Sequence, residues 1–315
     1  MAEGLPAWRV LSLTILVNLG LAGIVGAWAS MLWLRGAASP WTTRSRRQSL
    51  AALKVALAFT AVSDVLLLWL QAAYMAEVRL ADASALLPKM LEQTYVGHCW
   101  AAGVLGLMLV LGATGEPSTR PGMLRLAVAA LGVTVFVSSR AAVSHAGDFG
   151  LAGVQTLVES AHLWAISAWI GSVGIAAFVV LPDPTGTAAT DRAEVAQWVQ
   201  TLSGVATGAL IVVVGTGLFN AWRGVGSPAN LAGNVYGNTL LVKVGLVAIA
   251  VALGAFNRFR VMPHLMAALR APLGLPTQPR ERFVRVLRIE AVVLLAVLVA
   301  AAVLSSSPLP SLSAR

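Results

Sequence analysis

The stretch VLRIEAVVLLAVLVAAAVLS, residues 286–305, decides the fold class because it is apolar almost throughout. A helix rises about 1.5 Å per residue, so a run of about 20 apolar residues is long enough to cross the hydrocarbon core of a bilayer. The sequence predicts an all-α polytopic membrane protein with about eight transmembrane helices. The seven other runs of this kind lie at residues 8–34, 49–76, 91–113, 123–144, 152–181, 198–222 and 237–259.

Composition supports the same fold class. Hydrophobic residues make up 58% of the chain and charged residues only 11%, well below the roughly 25% that is typical of soluble domains. Much of the surface must therefore face lipid, and each span must satisfy its own backbone hydrogen bonds. The net charge of +9 does not indicate a nucleic-acid partner, because the basic residues lie in connections between apolar runs.

The distribution of arginine predicts the orientation. Arginines are concentrated in the first, third and seventh connections between spans, and cytoplasmic loops are enriched in basic residues. Both termini are therefore expected outside, on the periplasmic face. We expect one integrated membrane domain, with four helices in residues 1–150 and four in residues 151–315.

Three of the four histidines approach the outer side from consecutive spans. Counted from Leu91, His98 should lie about 10 Å inside the third span. His145 follows the fourth span, and His162 lies in the outer half of the fifth. Ionisable side chains inside a membrane are costly, and neutral imidazole is a common ligand of copper and zinc. The sequence therefore predicts a metal site at His98, His145 and His162.

Several other residues could belong to this site or could have a structural role. Glu159 shares the helix face of His162 and could orient it or bind the metal. Further ligands at the same level could be Asp148, Met75 and Met90. The structural alternative is that a single intramembrane histidine only forms an interhelical hydrogen bond.

Other polar residues within the spans have two interpretations. Asp64, Lys243 and Glu290 could line a polar path or could form interhelical pairs. On the cytoplasmic side, Met262, His264 and Met266 could release a metal ion or could belong to a basic interfacial loop. Gly171 and Gly174 are expected to let a neighbouring helix approach closely.

An ordered series of short strings resembles the CopD copper-resistance family. Residues 162–171, HLWAISAWIG, are similar to the family's "HL…WxGG" helix, with Ser172 at its second glycine. Ser144-His145-Ala146 resembles its "GHA" loop. The other matching strings are VYGNTLLVK at 235–243, GAFNR at 254–258, and the eighth span with Glu290.

The resemblance implies a bacterial inner-membrane protein that takes periplasmic copper, as Cu(I) or Cu(II), and moves it toward the cytoplasm. A separate periplasmic carrier of the CopC type is the implied partner. An enzyme is not expected, since no nucleophile–base pair or phosphate-binding glycine loop occurs. The alternatives are a haem-binding electron-transfer bundle, with His98 and His162 as axial ligands, and a copper-binding assembly or sensor protein that does not transport.

Overall fold

A computed structural model of the protein describes residues 7–115, 122–144, 153–182, 188–271 and 277–307, and every regular element in these ranges is helical. By length and composition, eight helical segments in the described part can cross a membrane, which confirms the predicted fold class and number of spans. The α-helices are α1 Ala7–Trp33, α2 Pro40–Met75, α3 Leu80–Ala83, α4 Leu87–Gln93, α5 Tyr95–Ala113, α6 Met123–Ala142, α7 Val154–Ile175, α8 Ala189–Val225, α9 Val235–Phe256, α10 Met262–Arg270 and α11 Thr277–Ser306.

Polar side chains fix where three of the spanning helices begin. In each case a side-chain oxygen of the residue before the helix accepts a hydrogen bond from a backbone N–H that has no partner within the helix. These caps start α2, α5 and α9. The oxygen–nitrogen pairs are Ser39 Oγ with Thr42 N at 3.2 Å, Thr94 Oγ1 with Gly97 N at 3.0 Å, and Asn234 Oδ1 with Gly237 N at 2.8 Å.

Helices α2 and α8 begin well ahead of the apolar runs that start at residues 49 and 198. Their polar first turns contact each other through Asp191 and Glu194 of α8. The N-terminal end of a helix attracts carboxylates through its free N–H groups and its dipole. The two carboxylates accept hydrogen bonds, at 3.2 to 3.3 Å, from the backbone N–H groups of Ala38, Ser39 and Trp41.

Helix α7 packs against α1, α6, α8 and α11. Its contact with α1 depends on Gly26 and Gly171. A Cβ atom at Gly171 would lie 1.9 Å from the Ala22 carbonyl oxygen, and a Cβ at Gly26 would lie 2.2 Å from the Gly171 backbone. The two backbones can approach this closely only because neither residue has a side chain. At Gly174, no described atom lies within 4 Å of the Cβ position, so only Gly171 fulfils the predicted role.

A second close helix pair is formed by α5 and α6. A Cβ at Gly106 would lie 2.5 Å from the Gly132 carbonyl oxygen, and the reverse distance is also 2.5 Å. Helix α6 also packs on α7, and α2 packs on α1. Helix α8 packs chiefly on α7, whereas α9 packs chiefly on α11. Two different helices therefore hold α8 and α9 in place.

Replacing Gly171 by Ala should destabilise the folded protein by about 1–3 kcal/mol, because the added methyl group forces α1 and α7 apart. Thermal unfolding in detergent measures the change. Gly174→Ala adds the same methyl group on the same helix at an open position and should leave the melting temperature unchanged. Equal effects of the two variants would contradict the assigned contact.

Candidate metal centre

Polar side chains from three spans meet near the start of α7, the end of α8 and the start of α9. His162 of α7 is 8% exposed, and its Nδ1 lies 2.8 Å from Thr216 Oγ1 of α8. Its Cε1 would lie 3.6 Å from a Cβ placed on Gly217. Helix α8 therefore packs directly against one edge of the imidazole ring.

The hydrogen bonds of Thr216 assign the tautomer of His162. Thr216 Oγ1 lies 2.6 Å from the Val212 carbonyl oxygen, to which it donates its only hydroxyl proton. The hydroxyl can then only accept from His162, so the imidazole Nδ1 carries a proton. In the neutral ring the lone pair is on Nε2, which makes no hydrogen bond to a described residue. This is the state in which a histidine can bind a metal ion through Nε2.

A second pair of side chains lies one helical turn away. Glu159 precedes His162 by three residues on α7, and Asn220 follows Thr216 by four on α8, so both pairs lie on facing sides of the two helices. Asn220 Nδ2 donates to Glu159 Oε2 at 2.7 Å. The carboxylate is therefore held in place by one oxygen and offers the other, Oε1, to a ligand.

Helix α9 contributes a cation and a phenol. Lys243 interacts electrostatically with both Glu159 and His162, and Tyr236 interacts with Glu159. Among the described residues, Lys243 makes no hydrogen bond and no ion pair within 4 Å. The Tyr236 hydroxyl lies against Gly224, where a Cβ would come within 2.0 Å of it, so Tyr236 joins the start of α9 to the end of α8.

The predicted depth of His98 was wrong. The predicted third span runs through Thr94, but the extended backbone of this residue ends α4 and caps α5. His98 is therefore in the first turn of α5, not about 10 Å along a span that begins at Leu91. Its ring is exposed, and its Nε2 donates to the Glu92 carbonyl oxygen at 3.1 Å. Helix α6 packs against both α5 and α7.

The remaining members of the predicted site are placed as follows. His145 and Asp148 lie outside the described residues. Within the described ranges, no three His, Cys, Asp or Glu side chains are grouped so that they could hold a metal ion. Met75 is 61% exposed at the end of α2, while Met90 is buried in an apolar cluster with Leu68. The three-histidine site stays a prediction.

Asp64 and Glu290 each contact a side chain of another spanning helix. The Asp64 carboxylate, 3% exposed, lies 3.6 Å from Arg140 Nη1 at the end of α6. Glu290, also 3% exposed, accepts a hydrogen bond from Trp169 Nε1 at 3.0 Å. These contacts favour interhelical pairing over a polar path for these two residues.

The three residues predicted to form a release site on the cytoplasmic side, Met262, His264 and Met266, do not all line the same cavity. Met262 and Met266 line one cavity of about 300 Å³, together with Gln200 and Arg258. The His264 ring is exposed and does not line that cavity, and its Nδ1 donates to the Arg260 carbonyl oxygen at 2.8 Å. A release site at Met262, His264 and Met266 stays a prediction.

Thr216 and Asn220 were not identified from the sequence as site residues. The available signal was their spacing, since two polar residues one turn apart interrupt one face of an otherwise apolar span. Such a pair indicates that the face contacts protein and not lipid. It does not indicate which helix supplies the partners.

Two family models match the chain. "Copper resistance protein D-like, N-terminal domain" matches residues 5–154, and "Copper resistance protein D" matches residues 196–304. The chain belongs to the copper resistance protein D family. The second match includes Thr216, Asn220, Tyr236 and Lys243, whereas Glu159 and His162 fall between the two matches.

The chain is also similar to the copper transport protein CutJ of Bacillus subtilis (strain 168). The two are 31% identical over 179 residues, which are 55% of this chain and 29% of that protein. The chain thus spans less than a third of the length of this curated relative. No solved structure matches the chain. These findings confirm a multi-pass membrane protein of a copper resistance family, and that family is not of an enzyme type.

Replacing Asp64 by Asn should destabilise the folded protein by about 3–5 kcal/mol, because Arg140 would lose its carboxylate partner inside the bundle. Thermal unfolding in detergent measures the loss. Arg140→Gln should act similarly, and the Asp64→Asn/Arg140→Gln double variant should lose less than the sum of the two. Strict additivity would show that the two side chains do not stabilise each other.

Proposed function

We propose that this protein binds copper on the periplasmic side of the bacterial inner membrane and moves it toward the cytoplasm. The observation that carries the proposal is the free Nε2 of His162, held in the metal-binding tautomer by Thr216, beside a carboxylate held by Asn220. Imidazole nitrogen and carboxylate oxygen are both ligands of copper. The copper resistance family and the copper transport relative support the choice of metal.

The direction of transport rests on the orientation of the chain. The basic first, third and seventh connections support an orientation in which the start of α7, and with it His162, lies on the periplasmic side. Copper would then enter from the periplasm, where a carrier of the CopC type is the proposed donor. His98, in the exposed first turn of α5, and His145 are the proposed residues of first contact.

On the cytoplasmic side, the cavity lined by Met262 and Met266 is the proposed place of release. Thioether sulfur is a soft ligand and favours Cu(I). His264 is exposed next to this cavity and could take the ion from it.

Purified wild-type protein should bind close to one equivalent of copper at the periplasmic site, and His162→Ala should lose most of it. Metal analysis and titration against a competing chelator measure this. Thr216→Val keeps the shape of the side chain but removes the acceptor of the Nδ1 proton, so copper affinity should fall about 10- to 100-fold. His264→Ala is the control histidine and should leave binding at this site unchanged.

Two outcomes would overturn the assignment. Copper that survives in a His98→Ala/His145→Ala/His162→Ala triple variant would show that the predicted histidines are not ligands. A strong Soret band in the visible spectrum of the purified protein would instead support the haem-binding interpretation.

Proteoliposomes that contain the protein in one known orientation distinguish copper transport from copper binding alone. Copper supplied on the face that carries the start of α7 should accumulate inside with wild-type protein, and His162→Ala should abolish accumulation because the entry site is lost. Gly174→Ala is a control for reconstitution. Copper binding without accumulation would support the assembly or sensor interpretation.

A further inference from the structure

Glu290 is a buried carboxyl group that the proposed copper site does not use. Its Oε1 accepts a hydrogen bond from Trp169 Nε1 of α7 at 3.0 Å. A Cβ placed on Gly254 of α9 would lie 3.4 Å from Oε1 and 3.9 Å from Oε2, so the glycine leaves room for the carboxyl group against the α9 backbone. The side chain therefore lies where α7, α9 and α11 meet.

The contact with Trp169 occupies only one of the two oxygens of Glu290. Among the described residues, Oε2 accepts no hydrogen bond and no cation lies within 4 Å of the carboxyl group. Asp64 differs in this respect, because Arg140 lies 3.6 Å from it. An ionised carboxylate without a cation is very costly inside hydrocarbon, and such a group becomes neutral by holding a proton.

The ionisable groups of the neighbouring elements do not neutralise Glu290. The elements that pack on α11 carry Arg9 on α1, Glu159 and His162 on α7, Tyr236 and Lys243 on α9, Arg258 and Arg260 in the turn after α9, and His264 and Arg270 on α10. Arg258 donates its hydrogen bonds to Ser203 and Thr207 of α8. On α11 itself, Arg288 donates to the Ala177 carbonyl oxygen at 3.4 Å.

One helical turn beyond Gly254, a buried hydrogen-bond acceptor lacks a donor. Asn257 is 4% exposed, and its Oδ1 makes no hydrogen bond to a described residue. It begins the π-helical turn Asn257–Val261, which packs against α11. A buried acceptor without a donor is costly. A protonated carboxyl group has an O–H donor and an ionised one has none, so a neutral Glu290 offers the kind of group that this junction lacks.

In depth, Glu290 lies between the two proposed copper sites. Its partner Trp169 follows His162 by seven residues on α7, which is about 10 Å further from the periplasmic side. Met262 follows Gly254 by eight residues in one membrane-crossing segment, which is about 12 Å closer to the cytoplasm. An ion that moves from His162 to the cavity at Met262 must therefore pass the level of Glu290.

We propose that Glu290 is a proton-binding site, whose carboxyl group holds a proton in the metal-free protein and releases it when a copper ion passes from His162 toward the cytoplasmic cavity. The O–H bond breaks, the proton passes to water in that cavity, and the charge of the passing ion stabilises the carboxylate that remains. Arg258, the residue after Asn257, lines the cavity. The proton returns from the same side once copper has left. This inference rests on the proposed copper route and adds a proton that must leave for each ion.

Infrared spectroscopy of the purified, metal-free full chain tests the proton directly. Wild-type protein should show the C=O band of a protonated carboxyl group, and Glu290→Gln should lose that band. The amide of Gln keeps an oxygen that can accept from Trp169, so the variant should remain folded, which thermal unfolding checks. Glu281→Gln makes the same substitution at an exposed position of α11 and should leave the band unchanged.

Copper uptake into proteoliposomes whose lumen faces the cytoplasmic side tests the link to transport. The outer pH is held constant, so that the protonation of His162 does not change. Lowering the lumen pH by one unit should slow wild-type uptake several-fold, because the proton must leave toward the lumen. Glu290→Gln should take up copper about ten-fold more slowly and without dependence on lumen pH, since no carboxylate can form. Its copper binding at His162 should equal that of the wild type.

The two measurements separate failure of this inference from failure of the copper proposal. If the acid band persists in Glu290→Gln, Glu290 holds no proton and the inference is wrong, while copper binding at His162 is unaffected. If the band is lost but uptake keeps its dependence on lumen pH, Glu290 only stabilises the junction and its link to copper is wrong. If wild-type protein neither binds copper through His162 nor accumulates it, the proposed copper route fails and the link to copper fails with it.

Discussion

The close contact between Gly26 of α1 and Gly171 of α7 is the constraint on which the rest of the bundle depends. Lipid surrounds these helices, so there is little hydrophobic gain in bringing them together, and close backbone packing must provide the attraction. The contact places α7 where it also touches α6, α8 and α11. From this position one side of α7 presents Glu159 and His162 to α8. Two turns further along α7, Trp169 donates a hydrogen bond to Glu290 of α11.

Three carboxylates inside the bundle each have a partner on another helix, because an unpaired charge in hydrocarbon is costly. Asp64 pairs with Arg140, Glu290 accepts from Trp169, and Glu159 accepts from Asn220. These contacts fix the rotation of each helix about its own axis, which small-residue packing alone does not determine.

The sequence predicted the features that depend on bulk hydropathy and missed those that depend on single contacts. The fold class and the eight spans follow from the length and polarity of apolar runs, because only helices of that length satisfy their backbone in lipid. The depth of His98 did not follow, since a hydropathy run passes through Thr94 although its side chain caps a new helix. The partners of His162 also could not be predicted, because Thr216 is distant in sequence and helix rotation is set by tertiary contacts.

The described part of the site differs from a site built to retain a metal. Sites that hold a metal permanently surround it with a closed set of ligands, commonly four. Here His162 and Glu159 are each held through one polar atom by a residue of α8, and the other polar atom of each makes no hydrogen bond to a described residue. An ion in transit must bind well enough to enter and weakly enough to leave. Two donor groups retain a metal ion less strongly than a closed set of four, so the described part of the site is compatible with the proposed passage of copper.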